Sequence, residues 1–492
     1  MGKTSFLLPP GLPRDLLQEF EQACLAGGFD NAPVPTEVTV TPRRLTVQRA
    51  VDESGYLIVP WDVDDIGRLM ISTSTLIERD EPYHLSVELA RGKLHHLRNH
   101  VAEWRVLGFP NKSLESQIHA AGRAFGAVVT DIDSGSQDKQ AQAVLSDAVQ
   151  LSDRCVQHYV DNLFRLRHQK NTKIDALLGC QLSALPPNPA ELAAAVNSAR
   201  VSLCWRDIEP SESRFAWEKA DAVVDWAEAN NLSIMAGPLV DFSRGGLPDW
   251  LSLWEGDLSN IANFACDYAE TAISRYRGRI KRWLLTTACN VSSVLSLGED
   301  DMLWLTARIA EAALQMAPDL ELVVGVSQPW GEHLAREEHT YTPLVFLDTL
   351  LRAGLQLAAL DLEVVMGVSP RGSYCRDLLD TNRLLDSFAV LSTPLQITLA
   401  CPSGTGPDSR AEGDFAVKGG RWKAGFTPDF QAQWASQFAS VALCKPYVHG
   451  VCWTHLSDAE PHRFPNCGLL DADNRAKPVF SELKKLREAH LR

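Results

Sequence analysis

Between Val201 and Val240 the chain sets a short apolar strand (Val201–Trp205), a turn, a helix from about Trp217 to Ala229, and a second strand (Leu232–Val240). The helix carries Trp217, Ala220, Val223, Val224 and Ala227 at helical spacing. Strand, helix, strand at this separation is a βαβ unit, and such a unit requires a parallel sheet. The pattern then repeats. Eight strand segments follow one another: Ala176–Leu182, Val201–Trp205, Ser233–Val240, Arg282–Thr287, Leu320–Val326, Ala358–Val365, Leu395–Ala400 and Val448–Trp453. Amphipathic helices fall near 217–230, 258–276, 301–316, 343–354, 374–389, 428–443 and 478–490. Eight such units predict an α/β fold, a (β/α)8 TIM barrel. A doubly wound open sheet is the competing arrangement, but no Gly-rich phosphate loop follows any of these strands.

The barrel accounts for residues 171–492, with the polar run His168–Lys173 at its border. Residues 1–170 read differently. Glu37–Thr41, Leu45–Gln48, Tyr56–Pro60 and Leu69–Thr73 are short β-forming segments, which predict a small antiparallel, sandwich-like sheet. Helical spacing runs from Leu85 to Leu107, then over 112–131 and 139–168. The expectation is an N-terminal β and helical accessory domain, either carbohydrate-binding or a packing cover for the barrel.

A net charge of -15 argues against nucleic acid or an anionic membrane surface as partner. No apolar run approaches the roughly 20 residues of a membrane span. The first ten residues hold one Lys and too short an apolar stretch for a signal peptide, and Phe6 stands where myristoylation wants Ser or Thr. The 11 Cys form no CxxC pair and several fall in strands, which predicts buried free thiols in a reducing, cytoplasmic setting. No spacing of His, Asp and Glu suggests a metal site, and no motif calls for a cofactor. Oligomeric state is left open.

In a TIM barrel function collects at the C-terminal strand ends. Those positions hold Arg206 and Glu209, Asp241 and Arg244, Thr286, Thr287 and Asn290, and Gln328, Trp330, Glu332 and His333. Beyond them come Glu363, Ser403, and the group Trp453, His455, Asp458 and His462.

Three stretches carry a family resemblance. The first is Trp205-Arg206-Asp207-Ile208-Glu209-Pro210 with Phe215-Ala216-Trp217 and Trp226 to Leu232. The second is Gly237-Pro238-Leu239-Val240 followed by Leu247-Pro248-Asp249-Trp250. The third is Gly450 to Asp458, then Gly468-Leu469-Leu470-Asp471 and Lys477-Pro478. In order and spacing they resemble glycoside hydrolase family 10, mostly xylanases. The resemblance implies a retaining hydrolase with an acid/base Glu after strand four and a nucleophilic Glu on strand seven. In this chain the aligned positions hold Thr287-Ala288 and Leu399, while Cys204 and Pro238 replace a Lys and a His of the family pattern.

A glycosidase needs two carboxyl groups flanking the bond. The remaining acids at strand ends are Glu363, where the family has a Gln beside the sugar, with Glu332 and Asp241. Two of these could form a relocated pair. The structural alternative has Glu363 paired with Arg371 or Arg206 and Asp241 capping a turn. Trp453 and Trp330 are expected as sugar platforms, with Arg206, Gln328, Asn290, His455, Asp458 and His462 as polar contacts. Two readings follow: a divergent glycoside hydrolase of a β-linked oligo- or polysaccharide, or a catalytically silent carbohydrate-binding barrel. A barrel enzyme of other chemistry, such as a lyase, is a third.

Overall fold

The structure, a computed structural model, describes residues 2–51, 53–131, 134–291, 294–413 and 415–492; Met1, where the leader reading begins, lies outside them. The second part of the chain forms eight parallel strands: β1 (Leu177–Leu182), β2 (Ser198–Val201), β3 (Ser233–Ala236, resumed at Val240–Asp241), β4 (Arg282–Thr287), β5 (Glu321–Ser327), β6 (Ala359–Val365), β7 (Leu395–Ala400) and β8 (Val448–Trp453). Each strand pairs with the next in parallel register, and β8 closes on β1 with Val451 opposite Leu178. This is a closed (β/α)8 barrel. Its strands are buried on both faces, so they read in sequence as near-continuous apolar runs.

Two strands differ from expectation for local reasons. β2 covers Ser198–Val201, and Trp205, expected as its end, instead opens a helical turn, Trp205–Ile208. β3 breaks at Gly237-Pro238, because Pro238 has no N–H for the ladder and Gly237 turns the backbone to φ +117°. Helix starts on the outer ring follow their sequence cues: Asp257, Thr342, Asp377 and Thr427 each accept a backbone N–H of the first turn. Pro stands in the first turn of the helices that begin at Pro343, Pro428 and Pro478.

The first part of the chain holds two sheets and three long helices. One sheet joins Gly2–Leu7, Glu37–Thr41, Arg44–Arg49 and Tyr83–His84, the last paired in parallel with the first. The other contains Cys24–Gly27, Ala32–Val34, Tyr56–Val63 and Gly67–Ser72. Its edge is completed by Arg421–Trp422 from a barrel loop, antiparallel to Gly67–Arg68. The helices are Leu85–Val106, Lys112–Thr130 and Ser134–Lys170.

These elements are bonded to the barrel as well as packed on it. Lys93 makes a buried ion pair with Asp377, Tyr374 donates to Glu19, and Arg68 is held by Asp62 and Glu19 beneath the Arg421 strand. No helix among the described residues is long and apolar enough to cross a membrane.

Candidate active site

A cleft of about 830 Å³ opens at the C-terminal ends of the barrel strands. Its floor is a buried polar layer inside the barrel. Arg200 on β2 contacts Asp361 on β6 at 3.2 Å and Thr398 on β7 at 2.9 Å, and the Thr398 hydroxyl donates to Asp361. Above this floor stands Glu363, two residues further along β6 on the same face. Its carboxylate accepts from the Ser327 hydroxyl at the end of β5 (2.5 Å) and from Arg463 Nη1 (3.2 Å).

The same Arg463 nitrogen lies 3.9 Å from Asp241 at the end of β3. One guanidinium therefore draws two carboxyl groups from opposite sides of the mouth toward a common point. Arg463 is itself fixed by stacking, 4.7 Å over Phe464 and 5.6 Å over Phe415. Burial pushes the Glu363 carboxyl above its ordinary range, and the nearby charges of Asp241 and Asp361 add to this, while Arg463 and the Ser327 hydroxyl oppose it. Asp241 is more open and also accepts the Ser243 N–H at 2.9 Å, closing a turn.

The other acid expected here lies elsewhere. Glu332 is bound to Arg376 at 2.5 Å and accepts the Tyr374 N–H, away from the residues that line the cleft. The alternative partners expected for Glu363 are occupied too: Arg371 pairs with Glu337 and Arg206 with Glu412. Trp453 is 1% exposed, donates its indole N–H to the Cys467 carbonyl and packs on Trp434, so it offers no ring to the cleft. Trp330 lies beyond the cleft lining, under the Arg376 guanidinium. Asn290 braces two strand ends, donating to the Ser327 carbonyl and accepting its N–H. Gln328 donates to the carbonyls of Pro370 and Gly372. Asn290 and Gln328 are thus engaged with backbone groups of neighbouring segments.

Arg206, His455 and His462 do line the cleft. The two imidazoles stack at 4.3 Å, His462 contacts Asp408 at 2.9 Å, and His455 contacts Asp458. Burial lowers the His455 pKa to about 4. Burial alone would raise the Asp458 carboxyl, but the contacts of His455 and Lys477 hold it well below the usual range. Donor atoms of His455, Asp458 and His462 converge within 4.8 Å of one another, as metal ligands do. All three are engaged already, and the Lys477 ammonium sits 2.5 Å from Asp458. The trio works as a hydrogen-bonded wall, since a cation there would have to displace a lysine. Thr287 lines the cleft, whereas Ala288 and Leu399 are each 1% exposed. Arg463 had no sequence cue: it follows β8 in a loop, and only the fold turns it toward β3 and β6.

Part of the chain is similar to known proteins. Residues 191–285 match the family model for glycosyl hydrolase family 10. The chain is 32% identical over 79 residues to endo-1,4-beta-xylanase B of Thermotoga neapolitana, covering 16% of this chain and 22% of that enzyme. It is 30% identical over 82 residues to endo-1,4-beta-xylanase C of Paenibacillus barcinonensis, covering 15% of this chain and 7% of that one. It thus spans less than a quarter of the length of either. Among solved structures, native xylanase 10B from Thermotoga maritima superposes with a TM-score of 0.48 at 15% identity, over 65% of this chain and 97% of that one. The second part of this chain is a (β/α)8 barrel, and within it residues 191–285 are similar to glycosyl hydrolase family 10.

Proposed function

We propose that the barrel cleaves a β-linked oligo- or polysaccharide with a relocated carboxyl pair, Glu363 and Asp241. The observation that carries this reading is the single Arg463 nitrogen 3.2 Å from one carboxylate and 3.9 Å from the other. That shared contact sets an upper bound on the separation of the two contacting oxygens, below the roughly 9.5 Å limit at which acid pairs work on glycosides. Glu363, whose carboxyl burial shifts toward the protonated form, is suited to give a proton to the leaving oxygen; the more open Asp241 is suited to act as nucleophile or base. Arg463 would lower the cost of holding a negative charge beside the reacting carbon. The match of residues 191–285 to the family model supports a glycoside as substrate.

A second reading has its own support. Ala288 and Leu399 stand where the family resemblance puts its two glutamates, and Thr287 where it puts an Asn, so the barrel would keep a saccharide cleft without turnover. A screen of purified protein against aryl β-glycosides and xylo-oligosaccharides separates the two. Release of reducing ends supports the relocated pair. A rise in thermal stability with xylohexaose, without any cleavage, supports the silent barrel.

A further inference from the structure

A second cavity, about 500 Å³, lies in the seam where the N-terminal sheet, the helices and the barrel meet. It shares no lining residue with the cleft. Its walls are flat rings: half-buried Tyr56 from the sheet, Trp104 and Tyr159 stacked at 4.6 Å from the helices, and half-buried Trp330 from the loop after β5. Between the rings stand polar groups, several of them already paired. Asp380 lies 3.3 Å from Arg383 and 3.4 Å from Arg376, and Asp386 lies 2.7 Å from Lys445. Asn31 and Glu103 are exposed at the rim.

The lining acids Asp30, Glu103, Asp380 and Asp386 outnumber Arg376 and Arg383, which disfavours an anion, while Asp380 and Asp386 are already occupied by bases and Asp30 by the Thr342 hydroxyl, which leaves a cation no cluster of free carboxylates. A purely apolar ligand would strip water from carboxylates and guanidinia without replacing those hydrogen bonds. A neutral, hydroxyl-rich ring satisfies both demands: its C–H face lies on an indole while its hydroxyls meet carboxylate, amide and guanidinium groups. The volume is within the range of small-molecule sites.

We infer that the seam cavity is a binding site for a neutral oligosaccharide, separate from the barrel mouth, with Trp330 as its platform. Because its walls come from both parts of the chain, occupancy also fastens the two parts together. The inference stands on the seam alone and does not require the cleft to be catalytic.

Hydrogen exchange measured with and without xylohexaose at millimolar concentration tests it on the full chain. The expected result is protection of amides in 99–107 and 376–388, with affinity reduced roughly tenfold or more in Trp330→Ala. Trp330→Phe, which keeps a ring, should retain most of it, and thermal melting of both variants reports that they fold. Protection confined to cleft segments, protection of the seam unchanged in Trp330→Ala, or no protection anywhere would each overturn the inference. Cleft protection and cleavage are read separately, so the fate of the catalytic reading does not decide this one.

Discussion

Asp361 shows how single residues hold this barrel open for chemistry. It neutralises Arg200 in the middle of the strand bundle, and both side chains are nearly inaccessible. Replacing Asp361 with Leu would leave a buried guanidinium without its counter-charge, a loss of about 3–5 kcal/mol. Urea titration of Asp361→Leu should show that loss; a value near zero would mean water reaches the layer. Asp153 makes a different prediction. Burial first, then the nearby charge of Asp377, raises its carboxyl pKa above the ordinary range, with Lys93 and the Leu378 N–H opposing. The folded chain therefore holds a proton that the unfolded chain has released, so this group's contribution to stability falls as pH rises above the usual carboxylate range. Asp153→Asn should melt higher than wild type at alkaline pH and lose part of that pH dependence. The cleft residues divide in the same residue-level terms. Glu363, Asp241, Arg206, His455 and His462 were all recognisable as strand-end polar groups. What the chain alone does not disclose is that Gln328 and Glu332 are bound to neighbouring loops and Asn290 to the end of β5, or that Arg463 arrives from the loop after β8 to join the two acids.

At the scale of elements, periodicity located the barrel well because each strand is a buried apolar run, and side-chain caps mark the helices that begin at Leu258, Pro343, Leu378 and Pro428. β4, β7 and β8 begin and end where the sequence places them. Reading failed where a segment takes its conformation from a remote partner. Arg421–Trp422 has no strand pattern of its own, and it is extended because Gly67 and Arg68 offer it a free edge. Gly67 is required at this crossing. Its φ is +142°, and a Cβ would collide with the Arg421 carbonyl and the Trp422 Cα. Gly67→Ala should break the pairing and destabilise the protein by about 1–3 kcal/mol, measured by thermal melting. An unchanged melting temperature would show that this edge strand contributes little.

For the whole molecule, we propose a division near residue 170 between the accessory part and the barrel, but with a joint too extensive for independent motion. The shared sheet edge, the Lys93–Asp377 pair and the Tyr374–Glu19 contact all cross it. Differential scanning calorimetry should therefore give one cooperative transition, and two well-separated transitions would contradict that coupling. What this assembly does is decided at the barrel mouth. Its most direct test compares initial rates of xylo-oligosaccharide cleavage by wild type and Glu363→Gln. Both must first be shown to melt at similar temperatures. Loss of a positioned proton donor should lower kcat by about 10²–10⁴-fold. A Glu363→Gln variant that cleaves as fast as wild type would contradict the relocated pair outright.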